Sequence, residues 1–93
     1  MKEELLKNAE IFKMLSNPVR LCILTNLAKD KRRNVSELIV CSNVTQSLVS
    51  QQLSKLRLAG IITCEKIGNE VYYELKDEKI LKVIKTLFDL EED

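Results

Sequence analysis

The stretch NVSELIVCSNVTQSLVSQQLSKLRLAGII, Asn34–Ile62, decides how this chain folds. Asn34 followed by Glu37 is a capping-box pattern, with a side-chain oxygen and a carboxylate placed to cover orphan amides at a helix start. Leu38 and Ile39 give that short helix an apolar face, and Asn43 suits the left-handed conformation that ends it. Thr45 then caps a second helix. In it Val49, Leu53 and Leu56 fall at i, i+4 and i+7 and form one stripe to bury. Left outside are Gln46, Ser47, Ser50, Gln51, Ser54 and Lys55, and no acid occurs between Glu37 and Glu65. A helix that offers amides and hydroxyls without carboxylates suits the donor and acceptor pattern of a DNA major groove.

Downstream, Gly60 ends the second helix. Two strand-like runs follow, Ile61–Ile67 and Glu70–Lys76, joined by Gly68-Asn69, a two-residue hairpin signal. That loop pairs Lys66 with Val71, Cys64 with Tyr73 and Ile62 with Leu75. Side-chain alternation then predicts an inner face of Ile62, Cys64, Tyr73 and Leu75, with Thr63, Glu65, Tyr72 and Glu74 outward. A helix-turn-helix followed directly by a hairpin is a winged helix. The predicted class is mainly α with a β-hairpin wing (α+β), in the order α-α-α-α-β-β-α, with the helix-turn-helix at about 35–57 and the wing at 61–76.

The flanks read as helices. Leu5, Leu6, Ala9, Phe12 and Leu15 recur at helical spacing in a first helix over about 3–15. Asn17-Pro18 places a cap before proline at the first helical position and opens a helix through Ala28. Lys29–Arg33 reads as a basic loop. Asp77 caps a last helix, about 78–90, in which Ile80, Leu81, Ile84, Leu87 and Phe88 recur at i, i+3, i+4 spacing. Two terminal amphipathic helices on so small a unit predict a symmetric homodimer that buries their apolar stripes. The acidic tail Glu91–Asp93 is expected to fray. No linker, repeat or low-complexity segment divides residues 1–93, which read as one DNA-binding and dimerisation domain.

Composition is consistent with this reading. The chain has 93 residues, a formal net charge of +1 and three cysteines. No apolar run approaches the roughly 20 residues of a membrane span, and no signal-peptide pattern opens the chain. An odd number of cysteines at irregular spacing argues against a disulfide framework and for a reducing, cytoplasmic setting. The charge distribution is more informative than its sum. Residues 29–57 hold six basic side chains against Asp30 and Glu37, a balance of +4, while residues 58–93 hold nine acids against five lysines, a balance of −4. Positive charge is thus gathered around the proposed reading helix, as a phosphate-binding surface requires.

Several chemistries are disfavoured. The chain has no histidine, the commonest zinc ligand and general base, and only two glycines, each already assigned to a turn. None of its serines has a base partner in the pattern. The sequence gives no reason to expect an enzyme or a cofactor.

With these motifs in hand the chain resembles the ArsR/SmtB family of small bacterial and archaeal winged-helix repressors. The matching segments are FKMLSNPVRLCIL (Phe12–Leu24), VSEL (Val35–Leu38), TQSLVSQQLSKLRLAGII (Thr45–Ile62) and GNEVYYELKD (Gly68–Asp77), in family order over nearly the whole chain. The resemblance implies a homodimer that represses by occluding polymerase. It also raises metal sensing, for which the family's residues are largely missing. A cysteine-rich patch ahead of the VSEL-like segment is replaced by Arg32-Arg33-Asn34. Of the last-helix site only Asp77 and Asp93 keep a carboxylate, and Lys79 and Leu90 stand where histidines would be. The expectation is no metal site.

Three cysteines remain as candidate sensors. Cys64 reads as a small residue of the inner strand face. Cys41 ends a short helix beside Ser42, where the family usually has an apolar residue. Cys22 shares the polar helix face of Pro18, Asn26 and Lys29 and reads as the most accessible thiol, with Arg20 and Lys29 to supply positive charge. Some family members sense oxidants or reactive sulfur through a cysteine pair in the second and last helices. The last helix here has no cysteine, so that mechanism does not transfer directly.

The sequence therefore predicts a dimeric repressor of double-stranded DNA with a palindromic operator. Gln46, Ser47, Ser50 and Gln51 would read base edges, Ser54, Lys55 and Arg57 would hold the backbone, and Lys66 and Asn69 on the wing would reach an adjacent groove. If a thiol switch operates, it begins at Cys22; otherwise the inducer is open. The alternative is a winged helix used as a protein-interaction module.

Overall fold

Four side-chain caps set where the helices begin. Asn17 Oδ1 accepts from the amides of Val19 at 2.9 Å and Arg20 at 3.1 Å. Asn34 and Glu37 form a reciprocal capping box, each side chain bonded to the other's backbone amide at 2.9 and 3.1 Å. Thr45 Oγ1 accepts from Leu48 at 3.3 Å and Asp77 Oδ1 from Ile80 at 3.0 Å. Each satisfies a donor that a helix start leaves open. The computed structural model describes residues 1–90, with α1 Glu3–Leu15, α2 Pro18–Lys29, β1 Arg33–Asn34, α3 Val35–Ser42, α4 Gln46–Leu58, β2 Ile62–Ile67, β3 Glu70–Leu75 and α5 Glu78–Leu87. The architecture is a winged helix. The tail Glu91–Asp93 lies outside the described residues.

The helix ends are equally specific. Asn43 closes α3 in the left-handed region at φ 55°. After α4, Gly60 takes φ 76°, and the amides of Gly60 and Ile61 return to the carbonyls of Arg57 and Leu56, both at 3.0 Å. That pair of bonds is a Schellman motif. A second one shortens the last helix. Asp89 takes φ 56° and Leu90 donates to Lys85 O at 2.8 Å, so α5 ends at Leu87 rather than near residue 90. Aspartate can occupy the left-handed region through its short polar side chain, a stop signal weaker than glycine.

The hairpin register is the one read from the sequence: Ile62 opposite Leu75, Cys64 opposite Tyr73, Lys66 opposite Val71. Positive φ at Gly68, the first central turn residue, and not at Asn69 matches a type II′ turn. Several features differ from expectation. Arg33 leaves the predicted loop and, with the cap residue Asn34, pairs antiparallel with Tyr73 and Tyr72, giving a three-stranded sheet in the order β1-β3-β2, and Lys29 still belongs to α2. A two-residue strand carries no periodicity to read. Cys64, moreover, is exposed rather than inner. Only Ile62 at the root of β2 reaches the core, and the rest of this edge strand projects beyond it. Tyr72 and Glu74, expected outward, are half-buried, with β1 beside Tyr72 and Arg32 against Glu74.

One core joins these elements. Ile23, Leu24 and Leu27 of α2 meet Leu38 of α3, the Val49–Leu53–Leu56 stripe of α4, Ile61 and Ile62, and Ile80 and Ile84 of α5. From α1 only Leu15 is buried in it.

Leu53→Ala should lower unfolding free energy by about 2–5 kcal/mol through transfer loss and a cavity. Gly60→Ala meets open space yet must hold φ 76°, and should cost only about 1–2 kcal/mol. Urea denaturation ranks the two. An equal or larger loss at Gly60 would contradict the assignment of Leu53 to the core.

Candidate nucleic-acid interface

Burial of Val49, Leu53 and Leu56 fixes the rotation of α4 about its axis, and the opposite face follows from that. Gln46, Ser47, Ser50, Gln51, Ser54 and Lys55 are all exposed. Their i, i+4 spacing makes a continuous strip of amides, hydroxyls and one cation, because residues four apart are neighbours on a helix surface. Lys55 and Arg57 lie in the last turn of α4, where cations also complement the helix dipole.

A clamp holds this helix that the sequence did not announce. Gln52 is 6% exposed, and its Oε1 accepts from Arg20 Nη1 at 2.8 Å. The same guanidinium donates through Nε to Met14 O at 2.7 Å. One arginine thus ties the end of α1 and the start of α2 to the middle of α4. A buried glutamine flanked by leucine in an otherwise polar helix was the available signal. Arg20, expected to charge Cys22, is engaged here instead.

The wing carries the remaining sequence-predicted site residues. Lys66 and Asn69 are exposed toward the far end of the hairpin, and among the described residues no hydrogen bond links them to α4. Arg57 lies nearer the junction of α4 with the sheet. Burial pushes the Tyr73 phenol up from its ordinary value and Cys64 adds to this, while the Arg57 cation opposes it.

The basic loop is partly spent on internal pairs. Arg32 Nε lies 3.4 Å from Glu74 Oε1, and Arg33 pairs with Asp30. The charge excess seen along residues 29–57 is therefore not wholly presented beside α4. Lys55 and Arg57 are its share on that helix.

Fold and helix geometry agree with what is known of similar proteins. The family description for bacterial regulatory proteins of the arsR family matches residues 17–63. This chain belongs to the arsR family. It is 39% identical over 75 residues to the transcriptional repressor SmtB of Mycobacterium tuberculosis, which covers 81% of this chain and 55% of SmtB. The chain spans about half the length of that relative. The transcriptional repressor PagR of Bacillus anthracis is 36% identical over 86% of this chain and 80% of its own, and its crystal structure superposes with a TM-score of 0.79 over 90% and 95% of the two chains. HlyU of Vibrio cholerae superposes with a TM-score of 0.87 at 31% identity, over 97% of each chain.

Against the arsR family's metal positions, Asp77 is used as the cap of α5, and Asp93 lies outside the described residues. Among the described residues no three His, Cys, Asp or Glu side chains gather closely enough to hold a metal ion. The thiols differ from expectation. Cys22 is half-buried against α3, whereas Cys41 and Cys64 are exposed. Packing of α3 on α2 covers the face that helical periodicity marks as polar. Ser42 needs no polar pocket, since its hydroxyl donates to Leu38 O of its own helix at 2.8 Å.

Gln52→Leu leaves the Arg20 donor without its acceptor and should cost about 1–3 kcal/mol of stability. A double-mutant cycle with Arg20→Met should return a coupling of about 0.5–3 kcal/mol. Strict additivity would contradict the clamp.

Proposed function

We propose that this protein is a dimeric, DNA-binding transcriptional repressor that covers a promoter and keeps polymerase from it. The observation that carries the reading is the acid-free polar strip of α4, held outward by burial of the opposite stripe. In this reading Gln46, Ser47, Ser50 and Gln51 meet base edges in a major groove. Ser54, Lys55 and Arg57 neutralise or bond phosphates, and Lys66 and Asn69 reach from the wing to an adjacent groove. Family membership supports the same assignment, since SmtB and PagR are themselves transcriptional repressors.

Dimerisation is inferred from apolar surface that one chain leaves uncovered. Leu5, Leu6 and Phe12 of α1, with Leu87 and Phe88 at the end of α5, are exposed at 44–64%. Between the two helices runs a groove lined by Ile11, Phe12 and Val83. A large exposed apolar surface on a small domain marks an interface, and a two-fold partner would cover it. Two symmetry-related copies of α4 then require an operator that is an imperfect palindrome. Its half-site centres would lie about 34 Å, or a small multiple of that, apart.

The decisive experiment is selection of binding sites from the chromosome, followed by titration at several salt concentrations. Affinity should fall steeply with salt, as phosphate contacts release counterions. Weak salt dependence would favour a protein partner for the α4 surface. On the selected site Gln51→Ala should lose about 1–3 kcal/mol while changing little on random DNA, and Lys55→Ala should weaken both about equally. An equal loss on both for Gln51→Ala would make it a bystander.

Assembly has its own test. Leu87→Asp or Phe88→Asp replaces an exposed side chain, so the fold should persist while ultracentrifugation shows monomers and specific binding disappears. A folded monomer that still binds the full site tightly would refute the dimer.

A further inference from the structure

Two of the three cysteines meet. Cys22 of α2 and Cys41 of α3 come together where those helices pack, and the Cys22 thiol donates to the backbone carbonyl oxygen of Cys41 at 3.7 Å. Asn26 Nδ2 holds the Cys22 sulfur from the same helix at 3.6 Å. On the other side the Cys41 sulfur accepts from Arg33 Nη1 at 3.1 Å, and Asp30 pairs with the far nitrogen of that guanidinium. Arg33 Nε is buried beside them without a hydrogen-bond partner. Cys41 is exposed and Cys22 is half-buried. Reactive cysteines sit in electropositive, partly exposed surroundings, often with a second thiol close enough to resolve the first product. Cys41 has the cation and the access, and Cys22 is placed as the second thiol.

We propose that Cys41 and Cys22 form a two-thiol modification site for hydrogen peroxide, Cys41 reacting first and Cys22 resolving it into an intramolecular disulfide. In the first step the Cys41 sulfur attacks the peroxide. A sulfur–oxygen bond forms, the oxygen–oxygen bond breaks, and the thiol proton leaves on the departing hydroxyl as water. Sulfur is oxidised by two electrons to a sulfenic acid. In the second step Cys22 attacks Cys41. The sulfur–sulfur bond forms, the sulfur–oxygen bond breaks, and the Cys22 proton leaves with the hydroxyl as a second water. One peroxide is thus reduced to two waters and two thiols lose two hydrogens.

The bond would tie the middle of α2 to the last turn of α3. Only Ser42 to Val44 separate Cys41 from the cap Thr45 of α4, so a shift of α3 is passed to the reading helix. Any effect on DNA rests on the proposed function, whereas the disulfide itself does not.

The test is hydrogen peroxide applied to the Cys64→Ser protein, which removes the exposed wing thiol. Free thiols are then blocked under denaturing conditions and peptides are mapped by mass. The expected product is a monomeric chain with Cys22 and Cys41 linked and two hydrogens lost. Cys22→Ser should stop at a sulfenic acid on Cys41 that dimedone traps, and Cys41→Ser should slow reaction at Cys22 several-fold. Arg33→Lys should keep the rate of Cys41 oxidation, and Arg33→Met should lower it several-fold with an unchanged circular dichroism spectrum. Links between chains, dimedone label first on Cys22, or thiols that oxidise independently would overturn the site. A disulfide that forms and leaves DNA affinity unchanged would uphold the site and overturn its coupling to the reading helix.

Discussion

Burial of one stripe of α4 is the constraint on which everything else hangs. Val49, Leu53 and Leu56 are essentially inaccessible, and with them the helix can sit in only one rotation against α2 and α3. The opposite strip must then face solvent. Its residues are small or flexible polar groups with no carboxylate, a composition that water tolerates and a base edge can use. Arg20 and Gln52 add direction to what apolar packing, being non-directional, leaves loose. Two hydrogen bonds from one guanidinium, to α1 and to α4, specify the height of α4 along its groove as well as its rotation.

Much of this was legible because the signals are local. Caps at Asn17, Asn34, Thr45 and Asp77 each need only a few residues to be recognised. The hairpin register followed from a two-residue turn, which leaves no freedom to slip without exchanging the faces. Other features depend on neighbours distant in the chain. Pairing of Arg33 with Tyr73 comes from the approach of a short extended segment to a sheet edge. The exposure of Cys64 reflects how far the wing projects, and strand alternation cannot report that. Likewise Cys22 lies on a face that periodicity marks as polar, yet α3 packs over it. The stop at Asp89 was missed because an aspartate in the left-handed region is a weak signal beside a continuing apolar pattern.

The site was readable in kind and less so in extent. The stripe on α4 is visible in the sequence, whereas the charge around it is not. Arg32 and Arg33 count toward a basic segment on paper, but in space they pair with Glu74 and Asp30. This redistribution leaves Arg33 against Cys41 and concentrates the unusual chemistry of the molecule at the α2–α3 junction, one short turn from the reading helix. Recognition surface and thiol pair therefore share a structural element, α3, whose only buried apolar anchor is Leu38.

The central claim is that the outward face of α4 meets DNA. Amide shift mapping of isotope-labelled protein during titration with the selected operator tests it most directly. The account predicts the largest changes across Thr45–Arg57, a second set at Lys66–Asn69, and small changes in the core positions of α2. Shifts confined to α1 and α5, with α4 unmoved at saturation, would contradict it.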